Sequence, residues 1–347
     1  MLFARKNEIV SPLLQSKYNS GTGAMSIDNS ARWLSRVTLV VAIIMIGWGS
    51  SVILTQPVTA WFATSSTVWM ALLLMSAIWQ LRGSFIAIAA LALATAVVSR
   101  LFSILRLNPS ASIAGLKPDD LDLLVATGPG VPGFEILGWF LGALVFIQFL
   151  LRAASVAASS DSREVSLNES ALTFIRVYIG LMFVPHFGSH ILGGPFQFKI
   201  YTLYFESLGI FMPAMQVALA GAIELVSAVG LTLGMFTRPV ALLGSVYLLM
   251  SMLLGGHFQI GYVWALPQGG YEFGVFWAVM IAVFAVLGGG RYSVDWELWR
   301  SEPARRLLPK VVREVLALTN RGTQAYDESR PPKELEAVKA HKTLLAG

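Results

Sequence analysis

The sequence predicts an all-α integral membrane protein of about eight transmembrane helices in two four-helix bundles. Two observations on composition lead to this class. Of the 347 residues, 55% are hydrophobic and 13% are charged, whereas soluble domains carry about 25% charged residues. Apolar runs that approach the roughly 20 residues needed to span a bilayer recur along the chain. The short alternating segments typical of membrane β-barrels are absent.

The composition also excludes several kinds of function. The chain has no cysteine, so it has no disulfide, thiolate metal site or dithiol redox pair. A redox role would therefore need a bound cofactor such as a quinone. The net charge of +5 is explained by basic residues that flank membrane helices, and it does not indicate nucleic-acid binding.

Apolar stretches define eight candidate spans, and their flanking charges predict an orientation. Most Lys and Arg residues fall at one set of span ends, which the positive-inside rule assigns to the cytoplasm. Both termini are then cytoplasmic, and we expect a multi-pass protein of a bacterial inner membrane. The candidate spans are residues 37–54, 60–81, 84–105, 134–151, 172–192, 213–236, 239–255 and 271–288.

Both ends of the chain are predicted to be cytoplasmic tails. Residues 1–31 lack a cleavable signal pattern and are expected to be loose from 16 to 30. Residues 293–347 contain apolar positions that fall on one helix face between 307 and 315. This pattern predicts a basic amphipathic helix that lies on the anionic leaflet or packs on a cytoplasmic partner. On the opposite side, residues 197–208 form either a short surface helix or an ordered loop.

The Ser-rich stretch 153–170 is interpreted as a cytoplasmic linker. It divides a first four-helix block, residues 32–152, from a second, residues 171–292. The blocks resemble diverged copies, because three short matches pair Arg36 with Arg176, Arg82 with Arg238, and Glu135 with Glu272.

The first copy lacks the polar side chains that distinguish the second. Ile46 and Ser50 stand where the second block has His186 and His190. We therefore assign any chemistry to the second block and treat the first as mainly structural.

The strongest functional candidates lie on the fifth span. His186 and His190 are four residues apart, so a continuous α-helix would place them on one face. Glu224 falls near the middle of the sixth span. Ionisable groups at membrane depth are costly and are usually functional. We expect these three side chains to be catalytic, and we expect Pro185 to kink the helix.

Four further residues are assigned to cofactor binding, each with a simpler alternative. Arg176 and Arg238 could instead be inner anchors that set the topology, and Arg176 could bind a lipid phosphate. His257 and Glu272 are expected at the outer mouth of the site. Glu272 could also simply begin a helix, where a carboxylate suits the N-terminal dipole.

The ligand of this cluster is predicted to be a quinone. The histidine pair could hold a metal with Glu224 or His257, but no ligand signature accompanies it, so we expect no metal. A quinone or another polar headgroup, held by His and Glu hydrogen bonds, fits better. The alternative is a purely structural role, in which a His–Glu pair only fixes the packing of the helices.

Three stretches resemble a known family. They are RVYIGLMFVPHFGSH from Arg176, AGAIELVSAVGLTLGMFTRPVALL from Ala220, and GGYEFGVFW from Gly269. Through them, residues 170–295 resemble the DoxX family of bacterial four-helix membrane proteins. A tandem arrangement with a degenerate first copy would depart from the usual single unit.

The DoxX resemblance implies several possible roles. Some relatives are membrane subunits of thiosulfate:quinone oxidoreductase, and others associate with enzymes that handle superoxide or sulfur compounds. Distant eukaryotic relatives are cargo receptors or assembly chaperones. The resemblance also places His186, Glu224, Arg238 and Glu272 on the family's recurrent polar positions.

The resulting hypothesis is the membrane subunit of a quinone-linked oxidoreductase system that handles sulfur compounds or oxidative stress. Its partner would be an oxidoreductase or a cytoplasmic protein that binds the C-terminal tail. The alternative is a non-enzymatic membrane scaffold or assembly partner, and a third possibility is a small-molecule transporter.

Overall fold

The computed structural model describes residues 11–103, 131–160, 163–263 and 269–328. Every regular element in these ranges is helical, and no β-strand occurs in them. The helices are α1 Ser11–Thr55, α2 Ala60–Trp79, a 3-10 turn Gln80–Arg82, α3 Phe85–Phe102, α4 Phe134–Ser159, α5 Arg163–Leu181, α6 Val184–Phe187, a π-helix Gly188–Leu192, α7 Pro195–Ser207, α8 Pro213–Leu233, α9 Thr237–Leu254, α10 His257–Ile260, α11 Glu272–Leu287, α12 Val294–Arg300, α13 Glu302–Leu307 and α14 Lys310–Glu328.

The long apolar helices confirm an all-α, multi-span membrane protein. Within the described ranges, seven are long and apolar enough to cross a membrane: α1, α2, α3, α4, the segment from α5 to the π-helix, α8 and α9. The eighth predicted span is α11, whose 16 residues extend about 24 Å, slightly less than a typical hydrocarbon core. Each of the eight predicted segments falls on one of these helices.

One prediction of local structure is wrong. Residues 16–30 are part of α1 rather than a loose tail, because a helix that continues a stable span needs no new nucleation. The predicted linker at 153–170 is largely helical, since α4 runs to Ser159 and α5 begins at Arg163. Alanine is the best helix former, and AASVAAS at the end of α4 extends that helix. Residues 1–10 and 329–347 lie outside the described residues.

The long helices pack as two bundles that share a seam. Helices α1 to α4 form the first block, whereas α5, α8, α9 and α11 form the second. The seam is the region where α3 and α4 meet α5, α6 and α8. Of the seven long apolar helices, α3 is the most deeply buried. Its Phe102 ring stacks on Phe134 at 4.5 Å and meets Phe62 edge-on at 5.3 Å.

The two ends of the bundle are distinct. We call the end with the α2–α3 and α8–α9 turns the inner end, and the end with α7 and α10 the outer end. At the outer end, Trp61 Nε1 donates to the Ile191 carbonyl at 3.0 Å, which joins α2 to the π-helix. The assignment of the inner end to the cytoplasm stays a prediction.

The C-terminal helices fold back onto the inner end. Leu316, Thr319 and Asn320 of α14 are buried, and Asn320 Nδ2 donates to the Asp295 carbonyl of α12 at 3.0 Å. The predicted amphipathic helix is interrupted before Pro309, as expected for a residue that precedes proline. On its predicted apolar face, Leu307 is 87% exposed and Val311 is 69% exposed, whereas Leu308, Val312 and Val315 are half-buried.

Candidate functional site

The fifth span changes helix type near its outer end. After α5 ends at Leu181, a turn leads into α6, where Pro185 lies in the first turn. This confirms the predicted break at Pro185, whose missing N–H cannot continue an α-helix. The chain then forms the π-helix Gly188–Leu192. Such π-helical turns are rare and occur frequently at functional sites.

His190 lies in the π-helix and belongs to a buried hydrogen-bonded cluster. Its Nδ1 is 2.7 Å from Glu224 Oε2 on α8. On the other side of the carboxylate, the Tyr247 hydroxyl of α9 donates to Glu224 Oε1 at 2.5 Å. Glu224 is 2% exposed and His190 is 8% exposed. We call His190, Glu224 and Tyr247 the buried triad, because both carboxylate oxygens are used within it.

Close helix packing fixes the position of the triad. A Cβ atom at Gly221, one turn before Glu224, would overlap Ile191 and would lie 3.1 Å from the His190 Cβ. Glycine therefore lets α8 approach the π-helix closely, as small residues do between membrane helices. The His190 ring also meets the Tyr201 ring of α7 edge-on at 4.4 Å.

The triad is a series of three groups that can each exchange a proton. The Tyr247 hydroxyl donates to Glu224 Oε1, and His190 Nδ1 forms a hydrogen bond with Glu224 Oε2. A charge at this depth is stabilised only by such partners. The arrangement can hold a proton between His190 and Glu224 and pass it along the series. It could equally hold three helices together.

His186 has no hydrogen bond to this series within the described residues, but it lies close enough to Glu224 and His190 to interact with them electrostatically. Its side chain is exposed, and its ring lies 5.5 Å from the Trp277 ring of α11. The expectation that both histidines share one face assumed a continuous α-helix. The π-helix that begins at Gly188 breaks that spacing.

His257 and Glu272 belong to the outer loop. His257 Nδ1 is 2.9 Å from the Gly269 carbonyl, which ties α10 to the start of α11. The Glu272 backbone N–H donates to the Tyr262 carbonyl at 2.9 Å, and its side chain is exposed at the first turn of α11. In these positions both residues order the loop.

Arg176 is buried at the inner end, where it caps α8. Its Nη1 donates to the Leu231 carbonyl at 2.5 Å and the Thr232 carbonyl at 3.2 Å. Its Nη2 donates to the Tyr292 carbonyl at 2.9 Å. A cation suits the carbonyls at a helix C-terminus. These contacts are with backbone, so they give Arg176 a packing role, and its predicted cofactor role stays a hypothesis.

Asp295 completes this inner site, and it was not predicted. Its Oδ1 accepts from the Phe236 N–H at 2.7 Å, and its Oδ2 accepts from the Thr237 N–H at 2.8 Å and hydroxyl at 2.9 Å. It therefore caps the N-terminus of α9. Burial raises the pKa of the Asp295 carboxyl, whereas these hydrogen bonds and the Arg176 charge oppose that shift. We call Arg176, Thr237 and Asp295 the inner clasp.

Arg238 follows directly on the clasp and is half-buried. It lies near Gly288, where an added Cβ would be 3.3 Å from the Arg238 Nε. The Thr237-Arg238-Pro239 motif therefore starts α9 beside the end of α11 and beside α12. Its predicted role in cofactor binding stays a hypothesis.

No metal centre is formed by the residues that the structure describes. Among them, no group of three His, Asp or Glu side chains is placed to hold a metal ion. In particular, the buried triad contributes one histidine and one carboxylate, with a tyrosine as its third member.

The comparisons with known proteins agree with the geometry. The DoxX family model matches residues 171–257, a range that contains the whole triad and two members of the inner clasp. No curated protein and no solved structure matches the chain. The first block lies outside the match, so the tandem duplication stays a hypothesis. The chain is therefore a multi-span membrane protein whose segment at residues 171–257 matches the DoxX family model.

Proposed function

We propose that this chain is the membrane subunit of a quinone-linked oxidoreductase, with sulfur compounds or oxidants as the substrates of the whole system. The buried triad is the observation that carries the proposal. Reduction of a quinone takes two electrons and two protons, and electrons would come from the partner oxidoreductase. The His190–Glu224–Tyr247 series would supply protons to the quinone oxygens from within the membrane.

In this proposal, one ring nitrogen of His190 would bind the headgroup. Because Nδ1 of His190 is bonded to Glu224, Nε2 is the ring nitrogen left to bind a quinone carbonyl. A carboxylate bonded to one ring nitrogen orients the imidazole and favours a proton on the other when a ligand binds. Tyr247 would keep its proton and hold Glu224 in place through its hydrogen bond to Oε1, and each proton passed to the quinone would be replaced at Glu224 from water.

The first test is replacement of Glu224 with glutamine in the complex purified in native lipid. Gln keeps the size of Glu224 but cannot exchange the proton, so quinol formation should fall roughly 100-fold. Tyr247→Phe removes one hydrogen bond to a charged group and should cost about tenfold. Both rates are measured per folded protein, together with the quinone content found by mass spectrometry.

Glu206→Gln is the matched control, because Glu206 is an exposed carboxylate on α7. It should leave both turnover and quinone content unchanged. Unchanged turnover and quinone content in Glu224→Gln, with lowered thermal stability, would show that the triad only holds the helices together.

A second candidate function is a membrane scaffold, favoured by the uncovered apolar side chains on the C-terminal helices. Val311 and Leu318 lie seven residues apart on α14, hence on one face, and both are exposed, as is Leu307. Exposed apolar side chains on these two neighbouring helices suit a partner protein at the inner end.

The scaffold predicts a specific loss. A Leu307→Glu, Val311→Glu, Leu318→Glu triple variant should lose, by roughly tenfold, any polypeptide that co-purifies from native membranes at fixed stoichiometry. A Lys310→Ala, Glu314→Ala variant of the same helix should retain it. If the triple variant keeps the same polypeptides, this face is not the contact.

A further inference from the structure

A cavity of about 790 Å³ lies in the seam between the two blocks. Its walls come from α3 and α4 on one side and from α5 and α6 on the other. This volume falls within the range of sites that hold small molecules, about 300–1,000 Å³. The first-block walls lie outside the part of the chain that matches the DoxX family model. The cavity is also separate from the buried triad, none of whose members lines it.

The cavity is polar at one end and apolar at the other. Arg100, Ser103 and Glu135 line it at the outer end, where α3 ends and α4 begins. Ile88 and Phe149 line it toward the inner end. From Ile88 to Ser103 the cavity follows α3 for about 22 Å. One leaflet of hydrocarbon is about 15 Å thick, so the site has the length of one lipid leaflet plus its headgroup layer.

A row of hydroxyl groups leads inward from the charged end. Thr95, Ser99 and Ser103 are spaced by four residues along α3, so they share one face, and all three line the cavity. The hydroxyls of Thr95 and Ser99 are buried and have no hydrogen-bond partner in the described part of the chain. Buried hydroxyls are normally paired. A ligand whose acceptor oxygens lie on the inner side of its charged group would accept hydrogen bonds from both hydroxyls.

Arg100 supplies a fixed positive charge beside these hydroxyls. Its Nη2 donates to the Ser189 hydroxyl at 2.6 Å, which holds the guanidinium against the π-helix. Glu135 lies close enough to interact electrostatically with Arg100. The mouth of the cavity therefore presents one cation and one anion. Guanidinium groups bind phosphate with paired hydrogen bonds, and a carboxylate suits an ammonium group.

A glycine in the wall of the cavity helps to keep the space open. Gly142 of α4 lines the cavity, and a Cβ atom there would meet nothing within 4 Å. Nearby, Gly138 packs directly against Ser99, as glycines usually do between membrane helices. Gly142 thus leaves room that no helix among the described residues fills. Exposed Trp139 and Tyr178 stand at the rim, where the site opens sideways.

We propose that this cavity binds one glycerophospholipid whose headgroup carries both a phosphate and an amine. Arg100 binds the phosphate, and Glu135 binds the ammonium group. The hydroxyls of Thr95 and Ser99 donate to the ester carbonyls, which lie below the phosphate in such a lipid. An acyl chain lies along the aromatic wall that includes Phe149. The lipid then fills the seam between the blocks as a structural ligand.

The test is lipid retention from vesicles of defined composition. The full chain is reconstituted in an equal mixture of phosphatidylethanolamine and phosphatidylglycerol with added ubiquinone, extracted gently, and analysed by native mass spectrometry. The expected result is one retained phosphatidylethanolamine per chain. Gly142→Leu places a side chain in the cavity and should lower that occupancy roughly tenfold. Arg100→Gln removes a charged hydrogen-bonding group and should have a similar effect.

Gly47→Leu is the matched control. Gly47 is also a helical glycine with nothing within 4 Å of an added Cβ, but it does not line the cavity. It should retain the lipid, and the melting temperatures of both leucine variants identify any loss that comes from misfolding. Glu135→Gln should shift retention toward phosphatidylglycerol, because the ammonium group loses its partner.

Three outcomes would overturn the proposal. They are retention of phosphatidylglycerol or ubiquinone in place of phosphatidylethanolamine by the unmodified chain, retention of no lipid, and unchanged occupancy in a folded Gly142→Leu variant. Quinol formation is measured separately on the triad variants, so the lipid site and the proposed quinone reaction can fail independently.

Discussion

Replacement of Arg176 with methionine is expected to lower the free energy of unfolding by about 3–5 kcal/mol. Methionine fills a similar volume, but it leaves the carbonyls of Leu231, Thr232 and Tyr292 without their donor. It also removes the cation that faces the buried Asp295 carboxylate. Reversible unfolding in mixed micelles, followed by circular dichroism, measures the change.

Arg36→Met is the matched control for this prediction. Arg36 occupies the corresponding position in the first block according to the repeat hypothesis, but its side chain is exposed. The change should stay within about 0.5 kcal/mol, as for most surface substitutions. Equal losses in the two variants would contradict the special role that we give to Arg176.

Replacement of Asp295 with alanine should cost about 2–3 kcal/mol, because the Phe236 and Thr237 donors at the start of α9 lose their acceptor. Asp295→Asn should cost less, since one amide oxygen can still accept from α9. The same unfolding assay applies, and protease sensitivity of the α8–α9 turn reports local opening.

Glu297→Ala serves as the control in the same helix. Glu297 is exposed and pairs with Arg300 at 2.9 Å, a surface ion pair that contributes little. A cost for Glu297→Ala as large as that of Asp295→Ala would indicate that α12 as a whole, rather than the cap on α9, stabilises the inner end.

The spans could be predicted because the bilayer dictates them. A chain segment that crosses the hydrocarbon core must be apolar over about 20 residues, so the spans can be read from the sequence. Each of the eight apolar runs falls on a helix. The stretch at 153–170 was interpreted as a linker from its serines, and it is largely helical because its alanines continue α4. The composition alone did not show whether the serines would interrupt the helix or the alanines would continue it.

The triad was only half predictable. His190 and Glu224 stood out because ionisable groups are rare at membrane depth. Tyr247 did not, since a tyrosine in an apolar run is indistinguishable from any aromatic packing residue. The site role predicted for His186 stays a hypothesis, and no residue pattern predicted the π-helix between it and His190.

The inner clasp was missed for a different reason. Asp295 lies 58 residues from Thr237 and 59 from Phe236 along the chain, and it follows the last span in what looks like an ordinary tail. A carboxylate outside the hydrocarbon needs no explanation by itself. Only the fold shows that it caps α9, although Ser293 two residues earlier does mark a helix start.

The deep burial of α3 in the seam has a consequence for the pairing of the two blocks, which lie on one polypeptide. A lone DoxX-family domain would have to cover its α5, α6 and α8 faces with lipid or with a second molecule. Here the first block covers part of these faces and is always present at one copy per domain. Covalent linkage removes any dependence of that pairing on protein concentration. The first block thus acts as a permanently attached subunit of the second.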